Sequence, residues 1–399
     1  MRQGFPRVEC PVGTELAARQ PYTLQYNLTV QHEIWKDTRI EVGYVASRTY
    51  DAQSKYDANA INPTDRLAFA QSNGSATGNL LKPFDVINSG SIGVYSYHGT
   101  ASYDSLQAMF NTRLQHGLSL ALVYTYSKTI SDVPLRSNNG GGNLILDPFN
   151  RGASNGLATI DRPHIFAANF IYDTPTMHNW NKIEREALAN WEVGSIINVS
   201  SGTPYTPVIN SFNAGGSGVN DLSGIGLGNG SYRPDIVAGQ PCRNSSFAGF
   251  QWINPNRYTL NGFKLGTIGN APVGDCLGPG VARADLSLSR YIRLTERFKL
   301  QIRVDAFNLF NHPQYGNPNN GNTNGFASIG FSSNNCVVNV DPKCPAGSGP
   351  AFLDATGTPT KILANAVSIA NSSPNSVVGQ VTADNQRDRQ LQGSLRLTF

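Results

Sequence analysis

Phe298-Lys299-Leu300-Gln301-Ile302-Arg303-Val304-Asp305-Ala306 changes between apolar and polar at every step. Side chains alternate across a strand, so Phe298, Leu300, Ile302, Val304 and Ala306 share one face and the polar residues share the other. Two further segments repeat the pattern. Residues 284–294 lie just upstream, across Thr295-Glu296-Arg297, and residues 390–399 put Leu391, Gly393, Leu395, Leu397 and Phe399 on one face. Between 310 and 390 the chain is rich in Gly, Asn, Pro and Ser. Strands with two unlike faces, joined in turn by a very short and a very long connection, point to an all-β, antiparallel transmembrane β-barrel of the outer-membrane kind.

The same reading extends toward the N-terminus. Tyr22, Leu24, Tyr26, Leu28, Val30 and Ile34 alternate with polar residues, His32 being the exception, and the strand ends at Trp35. After Lys36-Asp37 the chain returns through Ile40, Val42, Tyr44 and Ala46. Further strands fall over 103–114, 118–126, 166–172 and 191–199, with Gln115-His116-Gly117 as a turn. Residues 177–190 are the one stretch with helical spacing. The count is nine strands in a barrel spanning 21–399, preceded by a segment 1–20, with long loops at about 48–100, 131–161, 206–280 and 312–386. Trp35, Tyr172, Trp191 and Phe298 fall at short-turn ends of strands, and Tyr44, Tyr124, Tyr126 and Phe310 toward long-loop ends, as aromatic belts at two bilayer interfaces require. Arg290 is out of place on the apolar face between Leu288 and Ile292. A bulge at Ser289 would turn it inward.

Composition agrees. Charged residues are 15 % of the chain, below the roughly 25 % of soluble domains. Glycine (40) and tyrosine (16) favour turns and strands over helices. The net charge of +4 is scattered and leaves no basic stripe for nucleic acid. No apolar run reaches the 18 residues a membrane helix needs, so a barrel is the remaining way across a bilayer.

The first and last strands both run from the long-loop side to the short-turn side. Nine strands closed on themselves would therefore meet in parallel, whereas single-chain bacterial barrels have even numbers of antiparallel strands. The expectation is an odd number of further strands upstream.

Several motifs carry a family resemblance. Tyr124-Thr125-Tyr126-Ser127-Lys128, Asp161-Arg162-Pro163-His164, Ser201-Gly202-Thr203-Pro204-Tyr205, Arg233-Pro234-Asp235, Trp252-Ile253-Asn254-Pro255, Gly278-Pro279-Gly280 and Arg303-Val304-Asp305-Ala306-Phe307-Asn308-Leu309-Phe310-Asn311-His312-Pro313 occur in one order along the chain. In that order they resemble the C-terminal barrel of TonB-dependent outer-membrane receptors, above all the large Oar-like group. The resemblance implies a 22-stranded barrel around an N-terminal plug. Removing nine strands from twenty-two leaves thirteen, an odd number. It also implies uptake of a scarce ligand (siderophore, cobalamin, glycan or peptide), energised by an inner-membrane complex that engages the missing N-terminal part. A passive pore or adhesin in the outer membrane shares every barrel feature. A soluble propeller or sandwich is the other rival, and it would not sort aromatics to strand ends.

Candidate sites follow. Leu395, Leu397 and Phe399 form a terminal strand that the barrel-assembly machinery can recognise by strand addition. Arg283, Lys299, Arg303 and Arg396 point into the lumen, as a set that solvates it and contacts the plug or, alternatively, as a path for an anionic ligand. Cys242 with Cys276, and Cys336 with Cys344, are placed to staple two loops in an oxidising compartment, with free thiols as the alternative; Cys10 has no nearby partner. Dispersed histidines and the lack of Cys-x-x-Cys propose no metal, no cofactor is implied, and no nucleophile elbow, His-Glu-x-x-His or phosphate loop suggests an enzyme. Gly215-Gly216-Ser217-Gly218 reads as a surface loop.

Overall fold

The computed structural model describes residues 13–71, 76–84, 91–113, 117–133, 145–175, 181, 188–212, 221–226, 233–244, 252–259, 263–295, 297–318, 326–334, 366–369 and 388–399. Its main sheet has eleven strands, two of which lie off the principal path, leaving nine in sequence order. They are β1 (Tyr22–Trp35), β2 (Thr38–Asp57), β3 (Gly93–Arg113), β4 (Leu118–Ser131), β5 (His164–Asp173), β6 (Trp191–Ser200), β7 (Val281–Arg293), β8 (Lys299–Phe307) and β9 (Gln390–Thr398). Each pairs antiparallel with the next. An unbroken meander puts the long connections β2–β3, β4–β5, β6–β7 and β8–β9 at one rim and the remaining connections at the other. The expected helix at 177–190 lies almost wholly outside the described residues. Gly13–Thr14 adds a two-residue parallel bridge to Val94 and Tyr95.

The register aligns the apolar residues into rows that cross the sheet. One row joins Val30, Val42, Ala108, Tyr124, Phe166 and Val199. Another, nearer the turns, joins Leu118, Tyr172, Val193, Leu288, Val304 and Gly393. These rows face outward without a protein cover: Val30 is 66 % exposed and Val304 48 %. A soluble sheet would bury such a face, and lipid leaves it bare.

Two boundaries and one expected bulge depart from the sequence reading. The loop expected at 48–100 is shorter, because β2 runs on to Asp57 and β3 begins at Gly93. Beyond Ala46 both faces of this pair are polar, so alternation disappears while backbone pairing continues, with register shifts around Ala52 and a φ of 52° at Asp51. The strand expected over 298–310 stops at Phe307. There Asn308 and Asn311 adopt φ values of 50° and 49°, and the Asn308 side chain both donates to and accepts from the His312 backbone. Asparagine tolerates this left-handed region better than most residues. Finally, the registers of β7 with β6 and with β8 are continuous through Ser289 and Arg290, so there is no bulge.

The buried core sits in the connections. Tyr205, Tyr258, Phe263, Ile209, Leu222, Ile225 and Ile253 are the large, fully buried side chains, together with Ile61 and Ile145, and none belongs to the nine strands. Loop strand Pro204–Phe212 pairs antiparallel with Cys276–Leu277 and parallel with Phe326–Asn334, forming a second sheet at the long-loop rim.

Candidate functional surfaces: the outward belt, the loop cap and the inner face

Trp35 ends β1, Tyr172 stands opposite Leu118 and Val193, Trp191 begins β6, and Phe298 lies beside β8. Register and exposure place all four on the outward face near the turn rim. Phe298 and Phe399 have ring centroids 6.5 Å apart, while Leu395 stands opposite Ile302 and Leu397 opposite Leu300. Arg290 keeps its place on this face, opposite Trp191 and Ile302. Its guanidinium carbon lies 5.4 Å from the Trp191 ring centroid. Because Trp191 is the first residue of its strand, this pair sits at the turn rim and not at mid-depth. There a cation costs roughly 0–1 kcal/mol against the 2–4 kcal/mol at the midplane.

The outward face changes character toward the long loops. On β4 the apolar positions Leu118, Leu120 and Leu122 give way to Tyr124, Tyr126 and then Lys128. Ten steps at about 3.3 Å, on a strand tilted by roughly 40°, span about 25 Å, the height of an outer-membrane apolar band.

Above that level the loops interlock into a cap. Arg66 makes a bidentate ion pair with Asp147, at 2.8 and 2.7 Å, tying the β2–β3 loop to the β4–β5 loop. Arg257 grips Asp275 in the same way, and Tyr258 donates to that carboxylate at 2.8 Å. Asp275 holds the Arg257 guanidinium above its ordinary range, and burial pushes the Tyr258 and Tyr205 phenols up. Arg233 donates to the Ala153 carbonyl at 2.7 Å, and burial pulls it down to about 10. Asp221 accepts from the Ser223 and Gly226 backbone, and its carboxyl is raised by burial. Cys242 and Cys276 are joined by a disulfide closing a 34-residue separation. With both sulfurs bonded and Asp275 committed to Arg257 and Tyr258, this cluster has no metal-ligand set to offer. Cys10, Cys336, Cys344 and the 215–218 run lie outside the described residues.

Several motifs that carried the resemblance turn out to be joints of this cap. A Cβ on Gly202 would meet the Gly278 carbonyl oxygen at 1.9 Å, so Ser-Gly-Thr-Pro-Tyr and Gly-Pro-Gly touch backbone to backbone. The Trp252 indole donates to the Leu277 carbonyl at 3.0 Å, and Arg162 to Ser200 and Ser201 at 3.0 and 2.9 Å.

Residues 11–337 match the outer membrane beta barrel domain family, which is most of the chain. The chain belongs to that family. Its place is the bacterial outer membrane. No curated protein matches it. Among solved structures it is similar to the outer membrane transporter YddB from Escherichia coli, with 11 % identity, a TM-score of 0.41, and cover of 77 % of this chain and 31 % of that one. P. aeruginosa FpvA bound to heterologous pyoverdines gives 10 %, 0.36, 73 % and 24 %. The FrpB iron transporter from Neisseria meningitidis gives 11 %, 0.34, 80 % and 30 %. The chain spans less than a third of the length of each.

A family barrel has an inner face as well as an outer one. Arg283, Lys299, Arg303 and Arg396 share the face opposite the apolar rows. Arg283 pairs with Asp285 at 3.0 Å and Arg303 with Asp305 at 2.9 Å, each two residues along its own strand. Lys299 stands opposite Arg293 and Thr398, and Arg396 opposite Gln301. Alternation had marked this face as uniformly polar. In the register, however, Met109, Val123 and Ala167 form one row that runs on to Asn198, Ile165 lies in the row above, Asn169 separates Ala121 from Ile196 in the row below, and Ile171 lies below that between Ser119 and Gly194. Ile165, Ile171 and Ile196 are 40 %, 42 % and 50 % exposed. Read one strand at a time, each was an isolated exception; pairing gathers them on one region of the inner face, interleaved with Ser119, Asn169 and Asn198.

Proposed function

We propose that the chain is the C-terminal barrel portion of a TonB-dependent receptor that takes up a scarce ligand (siderophore, cobalamin, glycan or peptide) under energy supplied from the inner membrane. One observation carries this reading over a passive pore or adhesin: the apolar patch on β3–β6 lies on the face that a water-filled bore would wet. Several large exposed apolar side chains on one region of a wetted face, although interleaved with polar ones, suit a contact site, and a folded plug inside the barrel is the cover that fits. The parity of the sheet supports the same reading. Among the described residues β1 and β9 each have one strand neighbour, and they run in the same direction. Closure with alternating directions therefore takes an odd number of further strands. Leu395, Leu397 and Phe399 serve the barrel-assembly machinery in this proposal, lipid contacts the outward rows, and no catalytic step, metal or cofactor is involved.

The test places Ile171→Asn and Ile196→Asn together in the full-length protein. Sensitivity to large antibiotics reads leakage, and accumulation of labelled ferric siderophores, cobalamin and oligosaccharides, with and without a protonophore, reads energised uptake. The proposal expects increased leakage and loss of protonophore-sensitive uptake at normal surface levels. Unchanged leakage, or accumulation indifferent to the protonophore in the unmutated protein, would favour the passive pore.

A further inference from the structure

One charge in the loop cap has no counterpart. Arg66 and Arg233 are equally buried, each 8 % exposed. Arg66 holds both oxygens of Asp147. Arg233 uses a single bond: Nη1 donates to the Ala153 carbonyl at 2.7 Å, and the buried Nε has no acceptor. Among the described residues no carboxylate takes the part that Asp147 plays for Arg66. Asp235, two residues along, is turned to the Asn270 amide, from which it accepts at 2.8 Å. On the facing β4–β5 loop, Asp132 and Asp147 are bound by Arg151 and Arg66. The backbone that carries Arg233 is held in place. A Cβ on Gly269 would strike the Arg233 and Pro234 carbonyl oxygens, the Ala271 amide donates to the Pro234 carbonyl at 3.1 Å, and the Ile236 amide donates to Asn270 Oδ1 at 2.7 Å. The guanidinium therefore sits at a fixed seam between two loops, which also meet where the Leu157 amide donates to the Val273 carbonyl at 3.3 Å.

We propose that Arg233 anchors a binding site for a small oxyanion, phosphate or carboxylate, at the seam between the β4–β5 and β6–β7 loops. A charge taken out of water is costly unless it is paired and hydrogen-bonded, and one neutral carbonyl supplies neither the opposite charge nor enough acceptors. The edge of the guanidinium formed by Nε and Nη2 offers two parallel N–H donors, spaced to meet two oxygens on one carbon or one phosphorus. An oxyanion there satisfies the buried Nε and neutralises the charge together; a halide meets the charge without matching the fork. Occupancy also has a mechanical consequence. Arg233 belongs to one loop and the carbonyl it grips, Ala153, to the other, so an ion that fixes the guanidinium ties both loops. Such a site serves the cap whatever the barrel transports.

Amide exchange of the full-length protein in detergent micelles, followed by mass spectrometry over 145–157 and 233–242, tests the site. Inorganic phosphate and acetate are the probes, with chloride at equal ionic strength as the control. A ligand that binds the closed cap slows exchange through cap opening by about 1 + [L]/Kd, so at least one oxyanion should protect both segments several-fold and saturably. Chloride should not. Arg233→Met should abolish the response, whereas Arg297→Gln, exposed at the opposite rim, should leave it intact. Arg233→Lys keeps the charge but loses the fork, so several-fold more of the oxyanion should be needed for half protection. Heat-modifiable migration and an intact Cys242–Cys276 disulfide show that a variant has folded; if Arg233→Met has not, the lysine variant decides, and an unchanged midpoint would overturn the fork. Equal protection by chloride would mean a general electrolyte effect and would overturn the site. An undiminished response in folded Arg233→Met would put the anion elsewhere and overturn the assignment to Arg233.

Discussion

Arg290 lies against Trp191 across the β6–β7 ladder, its guanidinium carbon 5.4 Å from the ring centroid, on the face that meets lipid. The indole gives the cation a partner at the interface, an arrangement worth on the order of 0.5–2 kcal/mol according to how far it is desolvated. Trp191→Leu should therefore destabilise the sheet, Arg290→Leu should be close to neutral, and the double variant should be less destabilised than Trp191→Leu by about the coupling. A double-mutant cycle from urea unfolding in lipid vesicles measures the coupling. A coupling of zero would mean that the two side chains are merely adjacent.

The Cys242–Cys276 disulfide closes a 34-residue separation inside the loop cap. In the chain-entropy account a link of that length contributes about 3–4 kcal/mol. Replacing both cysteines by serine should loosen the cap while leaving the β1–β9 ladder intact. Limited proteolysis would show new cleavages within 204–277, with unchanged heat-modifiable migration of the barrel. Cleavage confined to the turn rim would contradict this division of stability.

Gly202 and Gly278 approach backbone to backbone, and an added Cβ at Gly202 would collide with a carbonyl oxygen that cannot swing aside. Overpacking costs typically 1–3 kcal/mol even where side chains can yield. Gly202→Ala should therefore shift cap unfolding to lower denaturant by at least that much. A serine at Gly316, where nothing lies within 4 Å of the added atom, should be tolerated.

Burial raises the carboxyls of Asp221 and Asp161, both in the loops. An acid with a raised folded-state pKa contributes stability that is fully present below its unfolded value, near 3.8, and is lost as pH rises through the folded value. The cap should therefore become more protected from amide exchange as pH falls from neutral toward 4, against the usual trend for paired carboxylates. Exchange rates corrected for intrinsic pH dependence provide the measurement. Asp221→Asn should flatten the slope whatever it does to the absolute stability.

Period-two alternation was readable in the sequence wherever one face meets lipid and the other water, which is why β7, β8 and β9 were legible nearly to their ends. It failed where that contrast ends. Ser47 to Asp57 pair with β3 but pack there against the loops through polar contacts, with Ser54 and Asp57 buried, so composition no longer reports the ladder. The inner patch of Ile165, Ile171 and Ile196 was hidden for a different reason, since it exists only across strands that register brings together. The cap was least legible. Arg66 and Asp147 are 81 residues apart, and nothing in local spacing couples them. The Gly-Pro-rich motifs did mark places where backbones touch, although their order along the chain suggested kinship before it suggested contact.

Phe399 follows β9 and packs its ring toward Phe298, while Leu395 and Leu397 complete the outward face of a strand that has β8 as its one neighbour among the described residues. An edge strand presents unpaired backbone groups, and a bare edge is a hazard unless another strand takes it. If assembly proceeds by strand addition at this edge, the terminal ring and the two leucines matter before folding is complete. Phe298→Leu should then weaken the finished barrel slightly and leave assembly yield unchanged. Phe399→Ala in the full-length protein should cut surface yield several-fold while the molecules that do assemble unfold at nearly the parental denaturant concentration. Quantitative surface labelling alongside urea titration separates the two effects. Equal losses of yield and stability for both variants would mean that the phenylalanine pair only packs.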